Sequence, residues 1–128
     1  MIWYIALGSA LGGLTRYILG GWIQRFAGPD FPLGTLVINI TGSFLLGLLY
    51  RYSTESAAIT PEVRAMLTIG VCGGYTTFST FSFETVRLLE DGEFGRAGIY
   101  ILLSVAVSIG AAFLGIVAGR ELLALRRG

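Results

Sequence analysis

The chain has 128 residues, 54% of them hydrophobic and only 13% charged, with a mean hydropathy of +0.74, which places it among membrane proteins and excludes an ordinary soluble domain of this length. All nine basic residues are Arg, and the absence of His and Lys removes histidine general bases, imidazole metal sites, Schiff-base lysines and P-loop lysines. The net charge of +1 leaves no nucleic-acid footprint, and the single Cys72 cannot form an intrachain disulfide and reads as a small core residue.

Four apolar stretches are predicted to form transmembrane helices: Ile2 to Gly21, Leu33 to Tyr50, Ala65 to Phe83 and Ala97 to Gly119. Each is close to the roughly 20 residues that an α-helix needs to cross a hydrocarbon core of about 30 Å. The expected fold class is therefore an all-α membrane protein, a single domain over residues 1–128, because the connections are too short to fold independently. No basic region precedes the first stretch and no polar mature domain comes after it, so a cleavable signal peptide is not expected.

The first stretch contains a GxxxG pair, Gly8 and Gly12, which predicts close packing against another helix, and one charge, Arg16. Arg16 suits either snorkelling to a boundary near Gly20 or a cationic vestibule that attracts anions. After the turn "AGPDFP" comes the second stretch, where Asn39, Ser43 and Gly47 succeed one another at four-residue intervals on one face. Asn39 can bond a neighbouring helix or offer its amide hydrogens to an anion, being both donor and acceptor.

Beyond "RYSTESAAITPEVR", the third stretch holds "GGYTTFSTFSFET" from Gly73 to Thr85, with no Leu, Ile or Val in it. Gly73 and Gly74, with the β-branched Thr76 and Thr77, predict a helix break near the centre of the span. Irregular backbone at that depth is tolerated only where it is buried in protein or faces water or an ion. Beyond the break, Phe78 and Phe81 alternate with Ser79, Thr80 and Ser82. A phenyl ring is positive at its edge, so rings held edge-on beside hydroxyl donors favour a small, strongly hydrated anion without a fixed charge to trap it. Glu84 closes the segment as the only carboxylate within the apolar stretches and their immediate ends. In the fourth stretch Tyr100, Ser104 and Ser108 form a hydroxyl ladder, and Gly115 and Gly119 form another close-packing pair.

The arginines give little topological bias. Arg51, Arg64, Arg120, Arg126 and Arg127 lie on the side of the termini, and Arg25, Arg87 and Arg96 on the other, so both a weakly biased single topology and an antiparallel self-pairing are open.

With "GTLVINITGSFLLGLL" and "GGLTRY" upstream, the GG-x-TTFSTFS motif closely resembles the small bacterial fluoride channels of the Fluc or CrcB family, over essentially the whole chain. The resemblance implies an antiparallel, dual-topology homodimer in the bacterial plasma (inner) membrane, conducting fluoride passively through pores between the subunits. It implies that Phe78, Phe81 and Asn39 line the pore, that Ser79, Thr80, Tyr100, Ser104 and Ser108 form a polar track, and that Arg16 and Glu84 belong to the vestibule. It further implies a structural sodium ion held by the backbone carbonyls of Gly73 and Thr76 from both subunits. The alternative is a proton-coupled exporter of the small multidrug resistance type, which needs a carboxylate in its first span, where this chain has Arg16 and no acid. A noncatalytic assembly factor would explain the glycine pairs but not the clustering of Phe and hydroxyl groups.

Overall fold

Two long helices open the computed structural model, which describes residues 1–127: α1 (Ile2–Ala27) and α2 (Leu33–Glu55). A short α3 (Pro61–Ala65) then leads through a π-helical stretch, Met66–Cys72, into α4 (Gly73–Tyr75). After an extended pair of residues come α5 (Phe78–Glu90) and α6 (Phe94–Arg127). Among the described residues the protein is all-helical, without strands, as its apolar composition predicts. Three helices, α1, α2 and α6, are long and apolar enough to cross a membrane. The third apolar stretch is carried instead by shorter helices on either side of Thr76 and Thr77.

The boundaries reflect local chemistry. Helix α1 runs past the expected end at Gly21 and stops where Gly28 takes φ 80°, a left-handed conformation that glycine adopts without Cβ strain. The Thr60 hydroxyl accepts from the Val63 amide at 3.3 Å to start α3, with Pro61 at the first helical position, where its missing N–H is harmless.

Packing divides the chain into two seams: α2 lies along α6, and α1 lies along the segment Pro61–Tyr75. Small residues set both, because interhelical attraction in lipid comes from close approach rather than from expelling water. A Cβ at Gly8 would overlap the Met66 carbonyl oxygen, and one at Gly12 that of Val71. On the other seam, Gly47 meets the Ala112 carbonyl and Gly115 that of Phe44, while a Cβ at Gly119 would approach Leu48 O to 2.8 Å. The glycine pairs Gly8/Gly12 and Gly115/Gly119 thus pack as their spacing predicts.

The break in the third stretch lies later than its glycines suggest. Gly73 remains helical at φ −64° and ψ −38°, and the chain leaves the helix at Thr76 (φ −88°, ψ 159°) and Thr77 (φ −153°, ψ 112°). Gly74 serves space instead of flexibility: a Cβ there would lie 2.6 Å from Ser9 O. The β-branched threonines take the extended conformation, which their stiff side chains favour.

Large apolar side chains cover the outside, with Trp3 83% and Tyr17 81% exposed, the inverse of a water-soluble protein and the arrangement a lipid solvent asks for. Inside, Tyr100 is wholly buried among Leu36, Phe81, Leu88 and Ala97.

The α2–α6 seam should be intolerant of bulk. Gly115→Leu should cost about 3 kcal/mol or more through overpacking, whereas Gly98→Ala, with nothing within 4 Å of the added Cβ, should be neutral or slightly stabilising. Thermal unfolding in detergent, monitored by the loss of the folded peak in size-exclusion chromatography, checks both.

Candidate functional site: a braced helix break beside an aromatic and hydroxyl cavity

A helix interrupted at Thr76 and Thr77 strands backbone groups that no water in a bilayer core can satisfy. In a continuous helix the Thr77 amide would bond to the Gly73 carbonyl. Here it donates to Asn39 Oδ1 at 2.8 Å, and Asn39 Nδ2 donates back to the Thr77 carbonyl at 3.1 Å. The Gly74 carbonyl accepts from Arg16 Nε at 3.1 Å. Thr77 Oγ1 caps α5 by accepting from the Thr80 amide at 3.1 Å. Two side chains from α1 and α2, and one from the break itself, therefore brace it.

The same bonds leave two oxygens over. The amides that a continuous helix would aim at the carbonyls of Gly73 and Thr76 belong to Thr77 and Thr80, and both are committed elsewhere. Neither carbonyl receives the amide that a continuous helix would give it. No group of three or more His, Cys, Asp or Glu suited to a metal occurs among the described residues.

Beside the break lies a cavity of about 330 Å³. It is lined by Asn39 and Ser43 from α2, by Thr76 and Thr77, by Phe78 and Phe81 from α5, and by Ser104, Val105, Ser108 and Ile109 from α6. The Phe78 and Phe81 ring centroids are 5.5 Å apart, tilted by 48°. Their surroundings differ sharply: Phe81 is 9% exposed and Phe78 77%, so one ring is set in the core and the other stands free. Ser104 Oγ is buried and has no hydrogen-bond partner, which leaves a donor unspent in the cavity wall. Asn39 keeps a second amide hydrogen beyond the one given to Thr77. No Arg, Asp or Glu lines the cavity.

The structure separates the sequence-predicted residues into three compartments. Asn39, Phe78, Phe81, Ser104 and Ser108 share the first. Arg16 and Thr80 share a smaller one of about 170 Å³ with Tyr17, Thr35 and Thr77. Because α1 continues to Ala27, Arg16 is not at a helix end, and its guanidinium turns inward to the break instead of snorkelling. Ser79 is exposed, 3.2 Å from Thr77 Oγ1 through its own hydroxyl. Glu84 opens onto a third cavity of about 370 Å³ near Asp30, Arg87 and Asp91. Tyr100 lies between compartments: its ring is 5.1 Å from that of Phe81, and its hydroxyl donates to Glu84 Oε1 at 3.3 Å. The hydroxyl ladder is thus real in register but divided, since Ser104 and Ser108 face the cavity and Tyr100 lies buried under it.

Two roles escape the sequence reading. Thr77 is both clamp point and helix cap, and the signal for it is a threonine three residues before Thr80 at the start of an α-helix. Gln24 binds the backbone of the α1–α2 connection through three hydrogen bonds, for which a lone polar residue near a helix end gives no pattern.

Known proteins resemble this chain along nearly all of it. It is 52% identical to the fluoride-specific ion channel FluC of Geobacter metallireducens, covering 92% of this chain and 95% of the relative. It is 51% identical to that of Syntrophotalea carbinolica, covering 93% and 97%, and 48% to that of Agrobacterium fabrum, covering 92% and 94%. Residues 3–116 match the family described as CrcB-like protein, Camphor Resistance (CrcB). With its broken helix, its aromatic and hydroxyl cavity and these matches in agreement, the chain belongs to the CrcB-like family.

Proposed function

We propose that the protein is a fluoride-selective channel that lets fluoride leave the bacterial cytoplasm passively, through pores completed between two antiparallel copies of a four-span chain in the inner membrane. As a member of a family whose relatives are named fluoride channels, it is not an enzyme. The observation that carries the proposal is the 330 Å³ cavity, walled by the Phe78 and Phe81 rings and the unpartnered Ser104 hydroxyl and free of charged side chains. Phe78, which borders that cavity, stands 77% exposed, so a second copy is the natural completion.

A desolvated fluoride ion needs donors in place of its water. Ring edges of Phe78 and Phe81, the hydroxyls of Ser104 and Ser108 and the free amide hydrogen of Asn39 supply them without a countercharge that would hold the ion too tightly. Tyr100 backs the track and hands on to Glu84 through its hydroxyl, and Thr80, with Ser79 beside Thr77, extends it next to Arg16, whose charge adds positive potential near the break. Hydrogen fluoride crosses bilayers uncharged and dissociates in a less acidic cytoplasm, and the inside-negative potential then drives the anion out with no coupled energy source.

The uncommitted carbonyls of Gly73 and Thr76 fit a sodium ion. They are hard, neutral oxygens, unsuited to a transition metal, and two per chain would give four where a pair of copies meets. When bound, such an ion supplies fixed positive charge beside the anion path. The chain's own part is to keep the carbonyls free by engaging their helical donors through Asn39 and Thr77.

Purified protein in liposomes should release fluoride but not chloride under a potassium diffusion potential, with no proton gradient. Phe78→Ile and Phe81→Ile should each lower that efflux by on the order of tenfold or more while the dimer still elutes intact, because bulk is kept and the ring quadrupole lost. Normal efflux in both would remove the rings from the mechanism, and strict dependence on a proton gradient would favour an exporter.

Extra arginines placed in one loop should lock every chain in one orientation and silence it when expressed alone. Co-expressing the oppositely biased variant should restore fluoride efflux, and a locked variant that conducts by itself would rule out the antiparallel pair.

Replacing sodium by a heavier monovalent cation should add electron density at the centre of the dimer, whereas a water-filled centre at high resolution would sink the site. Gly73→Val should weaken both that density and fluoride flux more than Thr76→Ser. A Cβ at Gly73 meets nothing within 4 Å in this chain.

A further inference from the structure

The connection between α1 and α2 is tied down by one side chain. Gln24 Nε2 donates to the carbonyls of Gly28 at 2.7 Å and Phe31 at 2.8 Å, and its Oε1 accepts from the Gly34 amide at 3.0 Å. Two carbonyls around the nitrogen and an N–H at the oxygen leave a single orientation of the amide. At this point α1 and α2 are also close, since a Cβ at Gly34 would lie 3.3 Å from Gln24 Cβ.

The residue so fixed leads into the cavity wall. Phe31 packs edge-on to Tyr100, with centroids 5.6 Å apart and planes at 83°. Tyr100, wholly buried, lies 5.1 Å from Phe81, which in turn faces the cavity beside Phe78. Each ring limits the tilt of the next, because aromatic neighbours resist leaving their edge-to-face or offset contacts. Space opened behind Tyr100 would let that ring swing away from the cavity, and Phe81 would lose its backing.

Resting on the fluoride-channel reading above, we infer that Gln24 is a positioning residue for conduction: by holding Phe31 against Tyr100 it sets the angle at which Phe81 meets the ion. It does not line the 330 Å³ cavity; with Phe31 it borders the 370 Å³ cavity onto which Glu84 opens, and the role inferred for it runs through the line of rings. Removing its amide leaves two carbonyls and one N–H without their partner and frees Phe31 to shift.

The test uses the full-length protein in liposomes, with Gln24→Met, which keeps length and removes all three bonds. Fluoride efflux should fall by on the order of tenfold, with the elution profile unchanged. In a Tyr100→Leu background, where the line of rings is already cut, the same change should lower the residual efflux by less than about twofold. A general weakening of the fold would instead multiply in both backgrounds. Efflux within about twofold of the unsubstituted protein, or a full multiplicative loss on top of Tyr100→Leu, would overturn the inference. Should Gln24→Met fail to elute as folded protein, Phe31→Leu, which leaves the Gln24 bonds in place, decides by the same two comparisons. An unsubstituted protein that releases no fluoride would overturn the channel reading itself, and this inference with it.

Discussion

Every feature of the central region depends on one constraint: a backbone interrupted inside a bilayer must find partners for its own N–H and C=O groups within the protein. The Thr76–Thr77 break meets it with side chains from two other helices and one from its own sequence, Arg16, Asn39 and Thr77. Asn39 gives and accepts at the same residue, so it restrains Thr77 in position and rotation together. The cavity lies beside this clamp, where α5 starts after the extended Thr76–Thr77 pair, with Phe81 packed on Tyr100 of α6 and Phe78 exposed next to it.

The clamp in turn relies on packing. Arg16 reaches the break because α1 lies against Pro61–Tyr75 with backbone almost touching backbone at Gly8, Gly12, Gly70 and Gly74, and Asn39 because α2 closes on it at Gly42, where a Cβ would meet the Thr76 and Tyr75 side chains. A seam of larger residues would hold the helices apart by several ångströms, beyond the reach of a hydrogen bond near 3 Å. Small residues here serve distance, and the polar residues are effective because the distance is small.

Much of this was legible in the sequence. Apolar length gave the helices, the four-residue spacing of glycines gave the packing seams, and the crowding of Phe, Ser and Thr without aliphatic neighbours pointed to the cavity wall. Residues with two uses were the ones that misled. Gly73 and Gly74 suggested flexibility, and the structure keeps them helical, with Gly74 serving close approach to Ser9. For Arg16 the sequence left a boundary and a vestibule both open, and a charge whose partner is a carbonyl 58 positions away leaves no local pattern. The role of Gln24 is invisible for the same reason, since all its partners are backbone groups, which every residue carries. Spacing could not reveal that Tyr100 lies behind the wall while Ser104 and Ser108 face it, because that depends on where Phe81 packs.

The π-helical stretch Met66–Cys72 sets the angular phase of the residues between it and the break. A π turn accommodates one more residue than an α turn over the same rise, so it rotates all later residues by about 100° relative to an uninterrupted α-helix. That offset decides which way Tyr75 and the break face when the chain reaches Asn39. Rewinding the segment as an α-helix at unchanged length would turn Thr77 away from its clamp, whereas deleting one residue with the same rewinding would leave it facing Asn39. The local irregularity thus works as a phase adjuster, and the register of the third stretch ties the length of this segment to its winding.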